Sequence, residues 1–183
     1  MKYFKKDYEY IYKYTSELLL ENKIIGWFYG RSEYGPRALG NRSILANPTF
    51  DNKDYLNKEI KNREWWRPYA PIIMQEYLTT YFDVCFEKSP YMMFSGTLKK
   101  DNVPGITHVD NTARIQTVNK KFNEKFYNLI NEFYKITGIP MLLNTSFNCQ
   151  EPIVEYYVEA IRTFNNTALD ILVIDKYILR KDN

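Results

Sequence analysis

Between Gly26 and Pro48 the sequence reads GWFYGRSEYGPRALGNRSILANP, where Arg31, Arg37 and Arg42 are interleaved with Gly26, Gly30, Gly35, Gly40 and Pro36 and the hydroxyls of Ser32 and Ser43. Guanidinium forks match the oxygens of phosphate or carboxylate in a bidentate way, and glycine lets backbone N–H groups approach a ligand or take positive φ. That combination suits an anion. Neither G-x-x-x-x-G-K-[ST] nor G-x-G-x-x-G fits the stretch, so no general nucleotide motif assigns it, and a strand ending in a Gly-Pro turn with surface ion pairs is the plainer alternative.

Three further constellations carry polar chemistry. In Lys61-Asn62-Arg63-Glu64-Trp65-Trp66-Arg67-Pro68 three cations flank two tryptophans, which suits phosphate oxygens beside an aromatic face or, structurally, a helix end with tryptophans in the core. Asn144-Thr145-Ser146-Phe147-Asn148 follows an apolar run and could bind phosphate or ribose at a strand end, or simply form side-chain turns with its own backbone. His108-Val109-Asp110 leads to Arg114 and Gln116; as a strand it would put His108 with Asp110, and Arg114 with Gln116, on shared faces. With one histidine and no HExxH or CxxC, no metal site is expected within the chain, and no Ser/His/Asp triad can be argued.

The elements that must position these groups follow from periodicity. Apolar residues at Tyr8, Ile11, Thr15, Leu18 and Leu19 predict an amphipathic helix, and Ile24 to Tyr29 a strand that delivers the chain into the arginine turn, with Ser43 to Ala46 leaving it. Asp51 is expected to cap a helix over 54–60. Strands are expected at 71–74, at 91–98 and, one or two, across 106–118, with a short helix at 76–82 and the loop KKDNVPG at 99–105. Phe122, Phe126, Leu129, Ile130, Phe133 and Tyr134 form the clearest helical core stripe, closed by Gly138. A strand at 139–144, an extended piece at Val154, a helix at 157–164 and strands at 171–174 and 177–179 complete the chain. Strands and helices mixed without strict alternation predict an α/β or α+β sheet with parallel and antiparallel pairs.

Composition narrows the class. The 183 residues, 45% hydrophobic and 17% aromatic, are enough for one folded domain with a proper core. A net charge of +3 tolerates a polyanionic ligand but is too mild to announce nucleic-acid binding. Two cysteines give no disulfide framework, and no apolar run has the length of a membrane helix or a signal-peptide core, so a cytoplasmic, membrane-free protein is expected.

The four constellations also occur in the order and spacing of one family. GRSEYGPRALGNRSILANP, KNREWWRPYAP (61–71), THVDNTARIQTV (107–118) and LNTSFNCQEPIV (143–154), with DILVIDKYIL at the end, resemble the C-terminal domain of the NodU/CmcH-type O-carbamoyltransferases from about Ile24 to Leu179. The resemblance implies a YrdC-like fold: a twisted mixed sheet flanked by helices, with a positively charged concave face. It implies that all of 1–183 is one such domain, which activates carbamoyl phosphate with ATP to carbamoyl adenylate for transfer to a hydroxyl of a small molecule or sugar. Lys61 with Arg63, and Ser146 with Asn148, match the family's K-x-R and S-x-N pairs.

By this resemblance Arg37, Lys61 and Arg63 are the expected catalytic residues. Arg31, Gly35, Arg42, Ser43, Arg67, His108, Asn144, Ser146 and Asn148 are the expected substrate and nucleotide contacts. Mg²⁺ would come with the ATP rather than be bound by the chain. The larger N-terminal domain that holds a metal and transfers the carbamoyl group in full-length enzymes is missing, so a partner domain or subunit is expected beside the small-molecule substrates; a homo-oligomer is left open. Where some members have glycine before the last Glu-Pro, this chain reads Asn148-Cys149-Gln150-Glu151-Pro152, so that turn differs. A non-catalytic RNA-binding module and an inactive docking scaffold are the competing readings, and the charge speaks against the first.

Overall fold

A computed structural model of the protein describes residues 2–181. Its strands are β1 (Lys2–Lys5), β2 (Ile25–Phe28), β3 (Arg42–Ala46), β4 (Ala70–Met74), β5 (Phe82–Asp83), β6 (Phe94–Leu98), β7 (Thr112–Val118), β8 (Met141–Ser146), β9 (Ile171–Ile174) and β10 (Tyr177–Arg180). Among the described residues they form one sheet in the order β1-β10-β9-β2-β3-β8-β4-β7-β6-β5. The β2–β9 and β4–β7 pairs are parallel and the others antiparallel, so the expected mixed sheet is present.

The main helices are α1 (Tyr8–Leu20), α4 (Glu124–Thr137) and α5 (Tyr157–Asn166); α2 (Lys53–Tyr55) and α3 (Leu78–Tyr81) are short. Asp7 caps α1 and Asn123 caps α4, each accepting a first-turn amide, and Gly138 ends α4 at φ 71° as its position predicted. α1 packs on α4, α4 on β4 and β8, and α5 on β9 and β2. Period-two alternation in β2 sends Trp27 toward Phe126 of α4 and Gly26 toward Phe147 on the other side. A Cβ on Gly26 would lie 2.8 Å from the Phe147 ring, so glycine is what lets ring and strand meet.

Gly40 is more constrained. Its φ is +111° and a Cβ there would stand 2.3 Å from Phe126 Cδ1, inside the core that fixes the arginine loop. Gly40→Ala combines overpacking with backbone strain and is expected to cost about 3 kcal/mol or more in urea unfolding. An unchanged midpoint would mean that the loop can leave Phe126 freely.

Local details depart from expectation where tertiary contacts override pattern. Asp51 does not cap; it pairs with Lys53 Nζ at 3.4 Å, and α2 runs into a π-helical turn at Leu56–Ile60. Phe122 precedes α4 and is 61% exposed, so it lies outside the core stripe. β6 begins at Phe94 rather than Tyr91, and of 106–118 only Thr112–Val118 is strand. His108 and Asp110 therefore share no strand face: His108 N donates to Thr112 O in a tight turn, with Asn111 at φ 61°. β8 extends to Ser146, and β1 was not foreseen. No helix among the described residues is long and apolar enough to cross a membrane.

Candidate functional site

The arginine-rich segment is the connection between β2 and β3, and its shape is set from two sides. Within the loop, Glu33 Oε1 accepts the N–H groups of Leu39 (2.6 Å), Asn41 (2.7 Å) and Arg42 (3.2 Å). From the sheet below, Gln116 Nε2 donates to Leu39 O at 2.9 Å and Asn144 Nδ2 donates to Ala38 O at 3.0 Å. Buried polar groups need such partners, and here the partners are the loop's own amides and carbonyls. Neither Glu33 nor Gln116 was among the expected site residues, because spacing along the chain carries no trace of a bond that closes across the fold.

Arg42 corrects an expectation. The residue is 3% exposed, and its guanidinium faces four carbonyl oxygens, those of Tyr29 (2.8 Å), Asn41 (3.0 Å), Gly30 (3.0 Å) and Glu155 (3.2 Å), while lying 3.5 Å over the Phe28 ring. Its donors fasten the loop to the segment before α5, so it is a structural residue rather than an anion contact. Ser43 is buried on β3 opposite Ser146, outside the cleft lining. Gly35 takes φ 107°, which explains glycine by backbone need, and Arg31 is exposed away from the lining residues.

Lys61, from one expected pair, meets Ser146 and Asn148, the other. Lys61 is 2% exposed, and its Nζ faces Asn148 Oδ1 (2.6 Å), Ser146 O (2.8 Å), Asn148 O (2.9 Å) and Ser146 Oγ (3.2 Å). Ser146 Oγ also donates to Asn148 Oδ1 at 2.7 Å. Lys61 thus ties the turn after β8 to the π-helical turn. Burial, aided by repulsion from Arg63 and opposed by Cys149 and Glu151, pulls the Lys61 ammonium down to about 7.

Arg63 is held by a residue that the sequence did not single out. Asn57, fully buried in the π-helical turn, accepts from Arg63 Nε and Tyr69 OH at 2.7 Å each and donates to Trp65 O and Arg67 O at 2.9 Å each. Its amide is thereby saturated, and the loop 63–69 is wrapped around it. Trp65 and Trp66 point outward, at 74% and 62% exposed, and do not fill the core.

Three cavities adjoin these groups. One of about 460 Å³ is lined by Lys61, Arg63, Arg67, Ser146 and Asn148; one of about 410 Å³ by Arg37, Arg63, Arg67, His108 and Arg114; and a small one of about 90 Å³ by Arg37, Arg63, Arg114, Asn144 and Ser146. Arg63 lines all three. Burial and the neighbouring Arg37 lower the Arg114 pKa, and burial holds His108 below its usual value. Arg67 pairs with Glu64 at 2.7 Å, whereas among the described residues no ion pair neutralises Arg37, Arg63 or Arg114. Fixed cations facing a cleft without compensating carboxylates can receive multiply charged anions. A mixed-charge cavity of about 470 Å³ beside α5, lined by Glu155, Glu159 and Arg162, adjoins the first of the three cavities through Cys149 and Gln150, and one of about 630 Å³ near Lys2 and Arg180 shares no lining residue with them.

A pH dependence follows. Lys61 is neutral above about 7, and an approaching anion favours its charged form, so anion affinity should fall as pH rises through that value. Sulfate, whose charge stays constant, should bind several-fold more weakly at pH about 8.5 than at about 6.5 by calorimetry. A flat dependence would detach Lys61 from the site.

The fold is similar to that of HypF, solved full-length in a phosphate- and nucleotide-bound form, with a TM-score of 0.66 at 18% identity over 94% of this chain and 28% of that one. It is also similar to Escherichia coli YciO, at TM-score 0.61 and 12% identity over 96% and 90% of the two chains. These likenesses show a YrdC-like fold. In sequence, nodulation protein NolNO of Sinorhizobium fredii is 46% identical over 174 residues, 91% of this chain and 26% of that protein. Nodulation protein NolO of Bradyrhizobium diazoefficiens is 47% identical over 174 residues, again 91% of this chain and 32% of the relative. The chain therefore spans less than a third of these relatives. With the carbamoyltransferase C-terminus family model matching residues 16–181, the chain belongs to the carbamoyltransferase C-terminal family.

Proposed function

We propose that the chain binds ATP and carbamoyl phosphate and forms carbamoyl adenylate, as the C-terminal part of an O-carbamoyltransferase. The observation that carries this is Arg63, common to three adjoining cavities and accompanied by Arg37, Arg67 and Arg114. Two anionic substrates repel each other, and only fixed cations between them let both be held at reacting distance. The phosphate and nucleotide held by the structural neighbour HypF support the same ligand classes.

Water cleaves the acyl phosphate to carbamate and inorganic phosphate; a carbamate oxygen then attacks the α-phosphorus of ATP, and pyrophosphate leaves. Arg37, Arg63 and Arg114 hold the phosphate oxygens and stabilise charge on the departing groups, while positioning supplies most of the rate. Lys61 keeps the Ser146–Asn148 turn in place at the edge of the larger cavity. Mg²⁺ arriving with ATP would be held by phosphate oxygens and water. The carbamoyl acceptor and the transfer step belong to a further domain or subunit, as the short coverage of the relatives suggests.

Calorimetry of ATP and of carbamoyl phosphate, each added to the chain, tests the reading. Both should bind, and Arg37→Ala should weaken both by about tenfold or more. Absence of binding by either would overturn it.

A further inference from the structure

The cavity of about 630 Å³ lies at the far end of β2 from the arginine loop: Ile171 on its wall pairs with Ile25, the first residue of β2, whereas the loop departs after Phe28. Its volume falls within the range that small-molecule sites occupy. Leu18, Leu169 and Ile171 give it an apolar floor, and its wall carries Lys2, Lys23, Arg180 and Lys181 against the two carboxylates of Glu21 and Asp170.

Two of these cations are engaged. Lys23 Nζ lies 3.7 Å from Asp170 Oδ1, while Asp170 Oδ2 accepts the Ile24 N–H at 2.8 Å, and Lys181 Nζ donates to Thr167 O. The other two face each other. Lys2 and Arg180 are register partners across β1 and β10, so their side chains leave opposite positions on one face of the sheet. That face is the one covered by α1, since the Phe4 and Tyr14 ring centroids are 5.8 Å apart and Arg180 Cζ lies 5.3 Å from the Tyr14 centroid.

Like charges directly opposite in a ladder destabilise it, unless something negative lies between them. Further along β1 the cations meet rings, Lys5 over Tyr177 at 5.3 Å and, just beyond the strand, Lys6 over Tyr10 at 5.2 Å. Among the described residues no carboxylate pairs with Lys2 or Arg180. A guanidinium stacked on a ring keeps its in-plane N–H edge free, the edge that grips two phosphate oxygens at once.

We propose that this cavity is a second anion site, which takes a small phosphate monoester with the phosphate between Lys2 and Arg180 and the organic part on the apolar floor. Lys23 and Lys181 add positive potential there, and Glu21 disfavours ligands that carry a further negative charge. Occupancy replaces repulsion across the β1–β10 pair by two charge-assisted contacts, so the ligand also fastens β1 to the sheet. β1 precedes residues 16–181, which the family model matches, so the site is built in part from a strand outside the shared region.

Phenyl phosphate is a suitable probe, and amide NMR separates the two ends of the molecule because each site moves its own signals. Signals of Lys2–Lys5, Arg180 and Lys181 are expected to shift and saturate, with phenyl phosphate binding at least about threefold more tightly than inorganic phosphate. Arg180→Gln should weaken this binding by about tenfold or more, while shifts around Arg37, Arg63 and Arg114 saturate as in the wild type. Lys2→Gln, at an exposed position with no ring contact to lose, should weaken it as well. Shifts no larger than sodium chloride of equal ionic strength produces would overturn the site and leave the arginine cleft untouched. Binding that survives in both variants would remove it from the Lys2–Arg180 pair, and equal affinity for inorganic phosphate would remove the floor from recognition. A short single-stranded RNA that moves the same signals at lower concentration would overturn the small-molecule class.

Discussion

Arg63→Ala is expected to lower carbamoyl-phosphate-dependent pyrophosphate formation by about two to three orders of magnitude, the usual loss when a fixed donor at developing negative charge is removed. Arg63 is the one side chain common to the three adjoining cavities, so its removal uncouples the two anions from each other as well as from the protein. Its effect on stability should be small. The bond it makes to Asn57 Oδ1 leaves that oxygen still satisfied by Tyr69 OH at 2.7 Å, and the guanidinium otherwise lies 4.8 Å from the Tyr69 ring centroid. The urea midpoint should therefore move by no more than about 1 kcal/mol equivalent. Arg63→Lys keeps the charge and loses the fork, and should still lose at least about tenfold in turnover. Near wild-type turnover in both variants would remove Arg63 from the chemistry.

Asn57→Leu should destabilise the fold about as strongly as Gly40→Ala. It deletes both donors to Trp65 O and Arg67 O and both acceptor contacts from Arg63 and Tyr69, in a site sealed from solvent. Leaving a buried phenol and two backbone carbonyls without their partner is expected to cost roughly 3 kcal/mol. The same change should weaken sulfate binding, although Asn57 lies in none of the three cavity linings, because Arg63 and Arg67 lose the fixed geometry that makes them a site. Destabilisation without loss of sulfate affinity would show that Asn57 is a fold residue alone. π-helical turns recur at functional sites, and here the turn aims one amide at four partners.

What could be read in advance divides along a physical line. The α4 stripe with its Gly138 cap and the strand entering the arginine loop were legible, since each depends on local spacing, whereas the meeting of Lys61 with Ser146 and Asn148 closes across the fold. Arg42 was misassigned because a guanidinium that meets backbone carbonyls and one that meets phosphate are the same residue in a sequence; only the fold says which oxygens arrive. Asn57 and Glu33 were missed, and Gln116 was named beside Arg114 without its role, because their partners are backbone groups brought near by loop closure, leaving no periodicity behind. The strand expected through His108 failed where Asn111 takes positive φ, a conformation asparagine tolerates and strand periodicity does not reveal.

The most direct measurement is pyrophosphate release from ATP by the purified chain, with and without carbamoyl phosphate. Release should require carbamoyl phosphate, be matched by one inorganic phosphate per pyrophosphate, and be lost in Arg63→Ala. Tight binding of both substrates with no pyrophosphate formed, even after addition of the N-terminal part of a full-length relative, would contradict it.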